Sequence, residues 1–195
     1  MINDQIYEDL YKELKDKPKR LKHVLGVRDT ALEFGKKYNL DLEILETAAI
    51  LHDITKYNTL EQNKEIIDSY FEETSRIYKY YNEDILHAFS AYVLAKKKYN
   101  IKSGEVLNSI LNHTIGRPNM SIYEKVIFIS DYIEPNRTYE SCLKVREIAD
   151  NNINKAVFTA IDDSIKFYEA EGGLIPLIAY EARHFYRRLL EETHD

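Results

Sequence analysis

The chain has 195 residues, 44% of them apolar and 31% charged, with six glycines and four prolines, a composition that excludes disordered, collagenous and low-complexity classes and predicts a single globular domain spanning residues 1–195. Its formal net charge of −6 supplies no global basic field, which argues against duplex DNA and anionic bilayers as partners. The lone Cys142 excludes an internal disulfide, and no aliphatic run approaches the ~20 residues that a membrane-spanning helix needs.

In chain order, the opening segment MINDQIYEDLYKELKDKPKR interrupts every short apolar stretch with charge. It reads as no secretory leader, and with the single cysteine it predicts a cytoplasmic setting. Val24, Val27, Ala31 and Phe34 then recur at helical spacing, followed by Leu42, Leu45 and Ala49. Thr59-Leu60-Glu61-Gln62 is a capping box that starts a further helix, and Lys96-Lys97-Lys98 reads as a solvated cluster at a helix end. Turn signals fall at 100–104 and 116–119. Ser121-Ile122-Tyr123-Glu124 is a second capping box, so the strand-like KVIFISDYI behind it reads as a helix, with Ile122, Val126, Ile129 and Ile133 on one stripe. That helix should stop near Glu134, because the residue before Pro135 is pushed out of the α region. A last break falls at Gly172-Gly173. The prediction is an all-α bundle of about eight to nine helices, without linker or internal repeat.

Four of the six histidines sit on or beside apolar helical faces: His23, His52, His87 and His113. Singly, each reads as a buried imidazole satisfied by one hydrogen bond. Four together point to a shared cation, because each unpaired buried polar group costs about 1–3 kcal/mol. Two carboxylates join them. Asp53 follows His52 at the end of the apolar run AAIL, and Asp131 interrupts VIFISDYI. The other His-Asp pair, His194-Asp195, lies at the polar C-terminus, where ligands are not held in place. His184 lies among Tyr180, Glu181, Arg187 and Arg188 and reads as exposed, and Cys142, with no histidine beside it, as an inert thiol. Imidazole and carboxylate ligation from several helices, without thiolates, suits catalytic Fe, Mn, Co, Ni or Zn rather than a zinc finger or iron–sulfur cluster.

The order of these residues resembles the HD-domain metal-dependent phosphohydrolases: an early His, a His-Asp pair, two further His and a late Asp. More closely, the segments Arg20-Leu21-Lys22-His23-Val24-Leu25-Gly26-Val27, Leu51-His52-Asp53-Ile54-Thr55-Lys56, Leu86-His87-Ala88, Asn112-His113-Thr114-Ile115-Gly116-Arg117-Pro118 and Ser130-Asp131-Tyr132-Ile133-Glu134-Pro135-Asn136-Arg137 are similar to the YqeK family of symmetrical dinucleoside tetraphosphate hydrolases. The resemblance implies an HD fold and a two-metal centre, usually described with iron. His23, His52, Asp53, His87, His113 and Asp131 would be its ligands and Asp53 its bridge. It also implies a reaction that splits diadenosine tetraphosphate into two ADP by a metal-activated water. Metal ions neutralise a polyanion and bring the pKa of bound water from ~15.7 to ~7.

Lys56, Arg117 and Arg137 lie within six residues of a ligand and are expected, with Asp53, to carry the catalytic and phosphate-binding roles. Thr114 is a candidate donor to a phosphate oxygen, and the turn at Gly173, Leu174 and Ile175 resembles the family segment beside the nucleotide. The resemblance also suggests a homodimer. The competing readings are an HD nucleotidase or triphosphohydrolase acting on mononucleotides or a guanosine alarmone, a non-catalytic module that senses a nucleotide or binds RNA, and a plain helical scaffold.

Overall fold

The structure, a computed structural model, describes residues 4–192. Among them are eleven helices and no strand: α1 Asp4–Leu14, α2 Pro18–Lys37, α3 Leu42–Leu51, α4 Leu60–Asp68, α5 Thr74–Tyr80, α6 Glu83–Lys97, α7 Gly104–Asn112, α8 Ile122–Ile133, α9 Glu140–Ala149, α10 Ile153–Ala170 and α11 Leu177–Glu192. The helical class is as expected, and the count exceeds the expected eight or nine. Pro18, tolerated only in a first helical turn, makes α1 and α2 separate helices. The chain between α4 and α5 turns through a left-handed Glu73, and α5 buries no residue, so neither short helix leaves a long apolar periodicity to read.

Local chemistry sets the boundaries that matter for the site. Both capping boxes form: Thr59 accepts from the Gln62 amide at the start of α4, and Ser121 accepts from the Glu124 amide at the start of α8. α8 ends with Glu134 as its C-cap, in extended backbone before Pro135. Gly116, at φ +69°, reverses the chain after α7, and a Cβ there would meet Met120 Cε at 3.3 Å.

α8 is the axis of the bundle. It buries Val126, Ile127, Phe128, Ile129, Ser130 and Ile133 and packs against α2, α3, α7, α9 and α10. α2 lies along α3, α6 bridges α4 and α7, and α10 joins α9 and α11 to the rest. One continuous apolar cluster, from Ile6 and Leu10 of α1 to Ala182 and Tyr186 of α11, fills the space between them. No described helix is long and apolar enough to cross a membrane.

Candidate metal centre and catalytic cavity

Five helices deliver the six expected residues to one place. His23 comes from the second turn of α2, His52 caps the C-terminus of α3 with Asp53 directly after it, His87 lies in α6, His113 caps the C-terminus of α7, and Asp131 lies in the last turn of α8. All four histidines and Asp53 are buried, while Asp131 keeps 18% of its side chain exposed. Two helix C-termini thus end at the cluster, and the negative pole of each favours a positive charge there.

Asp53 organises the geometry. Its Oδ1 lies 3.1 Å from His87 Nε2 and 3.7 Å from His113 Nε2, and its Oδ2 lies 3.4 Å from His52 Nε2 and 3.6 Å from His23 Nε2. One carboxylate therefore faces two pairs of imidazoles. Asp131 Oδ1 completes the second pair, 3.1 Å from His23 Nε2. His23, His52 and Asp131 form one group whose potential ligand atoms all lie within 4.8 Å of each other, and His52, Asp53 and His113 form another.

The other ring nitrogens are already engaged. His52 Nδ1 lies 2.6 Å from the Ala49 carbonyl and His113 Nδ1 lies 2.7 Å from the Ile110 carbonyl. A carbonyl only accepts, so each Nδ1 carries the proton and each Nε2 presents a lone pair to the centre. His52 Nε2 and His23 Nε2 have no hydrogen-bond partner although both are buried. The His52 lone pair aimed at Asp53 Oδ2 repels it, and a cation between the two removes the conflict. The residues therefore fit a metal centre, with nitrogen and oxygen donors suited to first-row transition ions.

The electrostatics have the same sense. Burial opposes charge on His23, yet the adjacent carboxylates of Asp131 and Asp53 prevail and hold its pKa up at about 9. Burial dominates at His87 and brings it down to about 4. Burial would push Asp53 up, but the charge of His52 and the imidazoles of His113 and His23 beside it keep it well below the usual carboxylate range. Asp131 is also held low against burial, by the charge of Arg137 and by the neighbouring His23 imidazole.

A cavity of about 390 Å³ opens over Asp53, His87, His113 and Asp131. Lys56, Thr114 and Arg137 line it, as do Leu174 and Ile175. Lys56 Nζ lies 3.4 Å from His87 Nδ1, Arg137 donates to Asp131 Oδ1 at 2.9 Å, and the buried Thr114 Oγ1 has no partner. Arg117 and Gly173 are not among the lining residues. Arg117 instead grips Glu124 with two bonds of 2.8 and 2.7 Å, and the Gly173 amide closes a turn on the Tyr168 carbonyl. His184 is exposed on α11, and Cys142 is buried, which raises its thiol pKa. His194 and Asp195 lie outside the described residues.

Sequence reasoning passed over two groups. Arg20 Nη1 donates to Asp53 Oδ2 at 2.5 Å, and the buried Glu134 holds His23 Nδ1 at 3.2 Å through Oε1. Arg20 precedes His23 by three residues and Glu134 follows Asp131 by three, spacings too common for charged residues near a helix end to single either out. Glu134 Oε2 also accepts from the Asn136 amide and side chain at 2.7 Å, and a Cβ at Gly26 would lie 2.6 Å from that oxygen.

This fold and this cluster define a metal-dependent hydrolase of the HD type, and the chain belongs to the HD domain family, whose model matches residues 20–136. Among its relatives, it is 35% identical to the symmetrical bis(5'-nucleosyl)-tetraphosphatase of Halalkalibacterium halodurans over 76% of this chain and 78% of that one. It is 34% identical to the protein of the same name from Bacillus subtilis, over 74% and 77%. A crystal structure of a predicted HD superfamily hydrolase involved in NAD metabolism, from Clostridium acetobutylicum, superposes with a TM-score of 0.87 at 38% identity, covering 96% of this chain and 98% of that one.

Proposed function

We propose that this chain is a metal-dependent hydrolase that cuts diadenosine tetraphosphate between its two inner phosphates to give two ADP. The observation that carries the reading is Asp53, whose two oxygens are divided between two pairs of histidines in the wall of a cavity with cationic side chains. Relatives that share about a third of its residues over three quarters of its length are named for this activity.

His23, His52, Asp53, His87, His113 and Asp131 would hold two metal ions, with Asp53 between them. When bound, the ions supply an acidified water and neutralise phosphate oxygens. The remaining steps belong to the chain. Glu134 accepts from His23 Nδ1 and the Ala49 and Ile110 carbonyls from His52 and His113, so each of these rings is turned with Nε2 inward. Arg20 and Arg137, seated on Asp53 and Asp131, turn toward phosphate oxygens when the carboxylates face metal. Lys56 adds a third charge, and Thr114 Oγ1 donates one hydrogen bond to the same oxygens. Arg117 acts at one remove: its ion pair fixes Glu124, which accepts from Asn112 at 2.9 Å beside His113. Phe128, Ile161, Ile165, Leu174 and Ile175 give one nucleoside an apolar wall, with Gly173 shaping the turn that presents Leu174 and Ile175. Iron as the resident metal, a cytoplasmic site of action, a single domain over residues 1–195 and a homodimer belong to the same reading and rest on the sequence and its resemblance.

Protein purified without oxygen and supplied with ferrous iron should convert diadenosine tetraphosphate to ADP alone. ATP plus AMP as products, or no turnover with any divalent metal, overturns the proposal; turnover restricted to mononucleotides or guanosine alarmones transfers the protein to that neighbouring class.

A further inference from the structure

A second cavity, of about 410 Å³, borders the histidine cluster at His23 and is lined by Lys19, Arg20, His23, Tyr57, Asn136, Arg137, Thr138 and Tyr139. Three features set it in line with the first. Arg20 and Arg137 line both cavities, so the two spaces meet along a pair of guanidinium groups. The cluster borders both: His87, His113, Asp53 and Asp131 line the first cavity and His23 the second. Finally, the second cavity has three cationic side chains in its lining and no carboxylate, whereas the first has Asp53, Asp84 and Asp131.

A substrate cut at its midpoint requires room for one nucleoside diphosphate on each side of the scissile bond. The two cavities, of nearly equal volume and sharing Arg20 and Arg137 beside the cluster, provide that room. We infer that the second cavity is the subsite for the other nucleotide half, an inference that rests on the function proposed above. Its phosphates run past Arg137 and Arg20 toward Lys19, and its base lies against the exposed rings of Tyr57 and Tyr139. These rings are 51% and 72% exposed, more than packing requires of a tyrosine, and their π faces suit any base. Lys17 Nζ stands 4.0 Å from the Tyr57 ring centroid and brings a further positive charge to the rim.

The test uses the iron-loaded protein and its Tyr57→Ala/Tyr139→Ala variant, which alters two exposed side chains outside the metal centre. Equilibrium dialysis against ADP should find two molecules bound per wild-type chain and one per variant chain. The KM for diadenosine tetraphosphate should rise about tenfold in the variant, as loss of base stacking requires, with kcat within about twofold. One ADP per wild-type chain, or a variant KM equal to that of the wild type, overturns the subsite. Two ADP per wild-type chain without any cleavage of diadenosine tetraphosphate keeps the subsite and removes the proposed function instead.

Discussion

At the scale of single residues, Glu134 is the most informative side chain outside the six. It carries no ligand role, yet it fixes the ring of His23, and hydrogen-bonded carboxylates behind metal-bound imidazoles are commonly worth 10–100-fold in metal affinity. Glu134→Gln should therefore weaken metal binding by about that factor in a chelator competition while leaving the far-ultraviolet circular dichroism unchanged. Gly26→Ala tests the same contact from the other side, since the new methyl displaces Glu134 Oε2; it should lower metal affinity in the same assay. The six ligand-type residues were legible because imidazoles and carboxylates stand out on apolar faces. Glu134 and Arg20 were not, because charged residues near a helix end are most often solvated, and only the coordinates reveal that Glu134 is 2% exposed.

At the scale of elements, capping chemistry gave correct starts for α4 and α8 and a correct stop for α8, because these signals depend on neighbours within four residues. The pairing of Arg117 with Glu124 was not readable, although the two are only seven residues apart. Glu124 already had a role in the capping box, and nothing local announces that the same carboxylate is 1% exposed and needs a countercharge. Arg117→Ala should therefore lower stability by about 2 kcal/mol in urea denaturation, as removing one partner of a largely buried pair does, with a smaller effect on KM than Lys56→Ala. The contact of α1 with the end of α6 is acid-sensitive. Asp9 accepts from Lys98 at 2.8 Å and from Tyr99 at 2.9 Å, and the Lys98 bond leads in holding its pKa below the ordinary 3.8. A carboxylate depressed in the folded state stabilises above its unfolded pKa and loses that contribution as pH falls through the lower, folded value. Asp9→Asn should flatten the loss of thermal stability below about pH 4.

For the whole molecule, the proposed ligands come from α2, the α3 end, α6, α7 and α8, which would make metal binding a property of the assembled bundle rather than of any segment. An ion present at 100–1,000 times its dissociation constant stabilises by about 2.7–4.1 kcal/mol. Chelation should thus lower the melting temperature by about 5–15 °C for a chain of this size, reversibly on adding metal back, in differential scanning calorimetry. The helical class was legible because the 3.6-residue period runs through nearly every segment. The neighbours of each helix were not, because α2 packs on both α3 and α8, and a one-dimensional stripe does not name the surface it meets. For the same reason the second cavity had no trace in the sequence: its lining comes from positions 19, 20, 23, 57 and 136–139.

The helix without a buried residue has its own consequence. α5 is tied back mainly by Tyr78, whose hydroxyl bonds Asp68 and the Lys64 carbonyl, and the chain runs from it directly into Asn82 and Asp84 at the mouth of the catalytic cavity. Amide protons of 74–80 should therefore exchange with deuterated solvent well ahead of those in α3 and α8, so that the doorway is built from the most labile stretch and the hearth from the most durable.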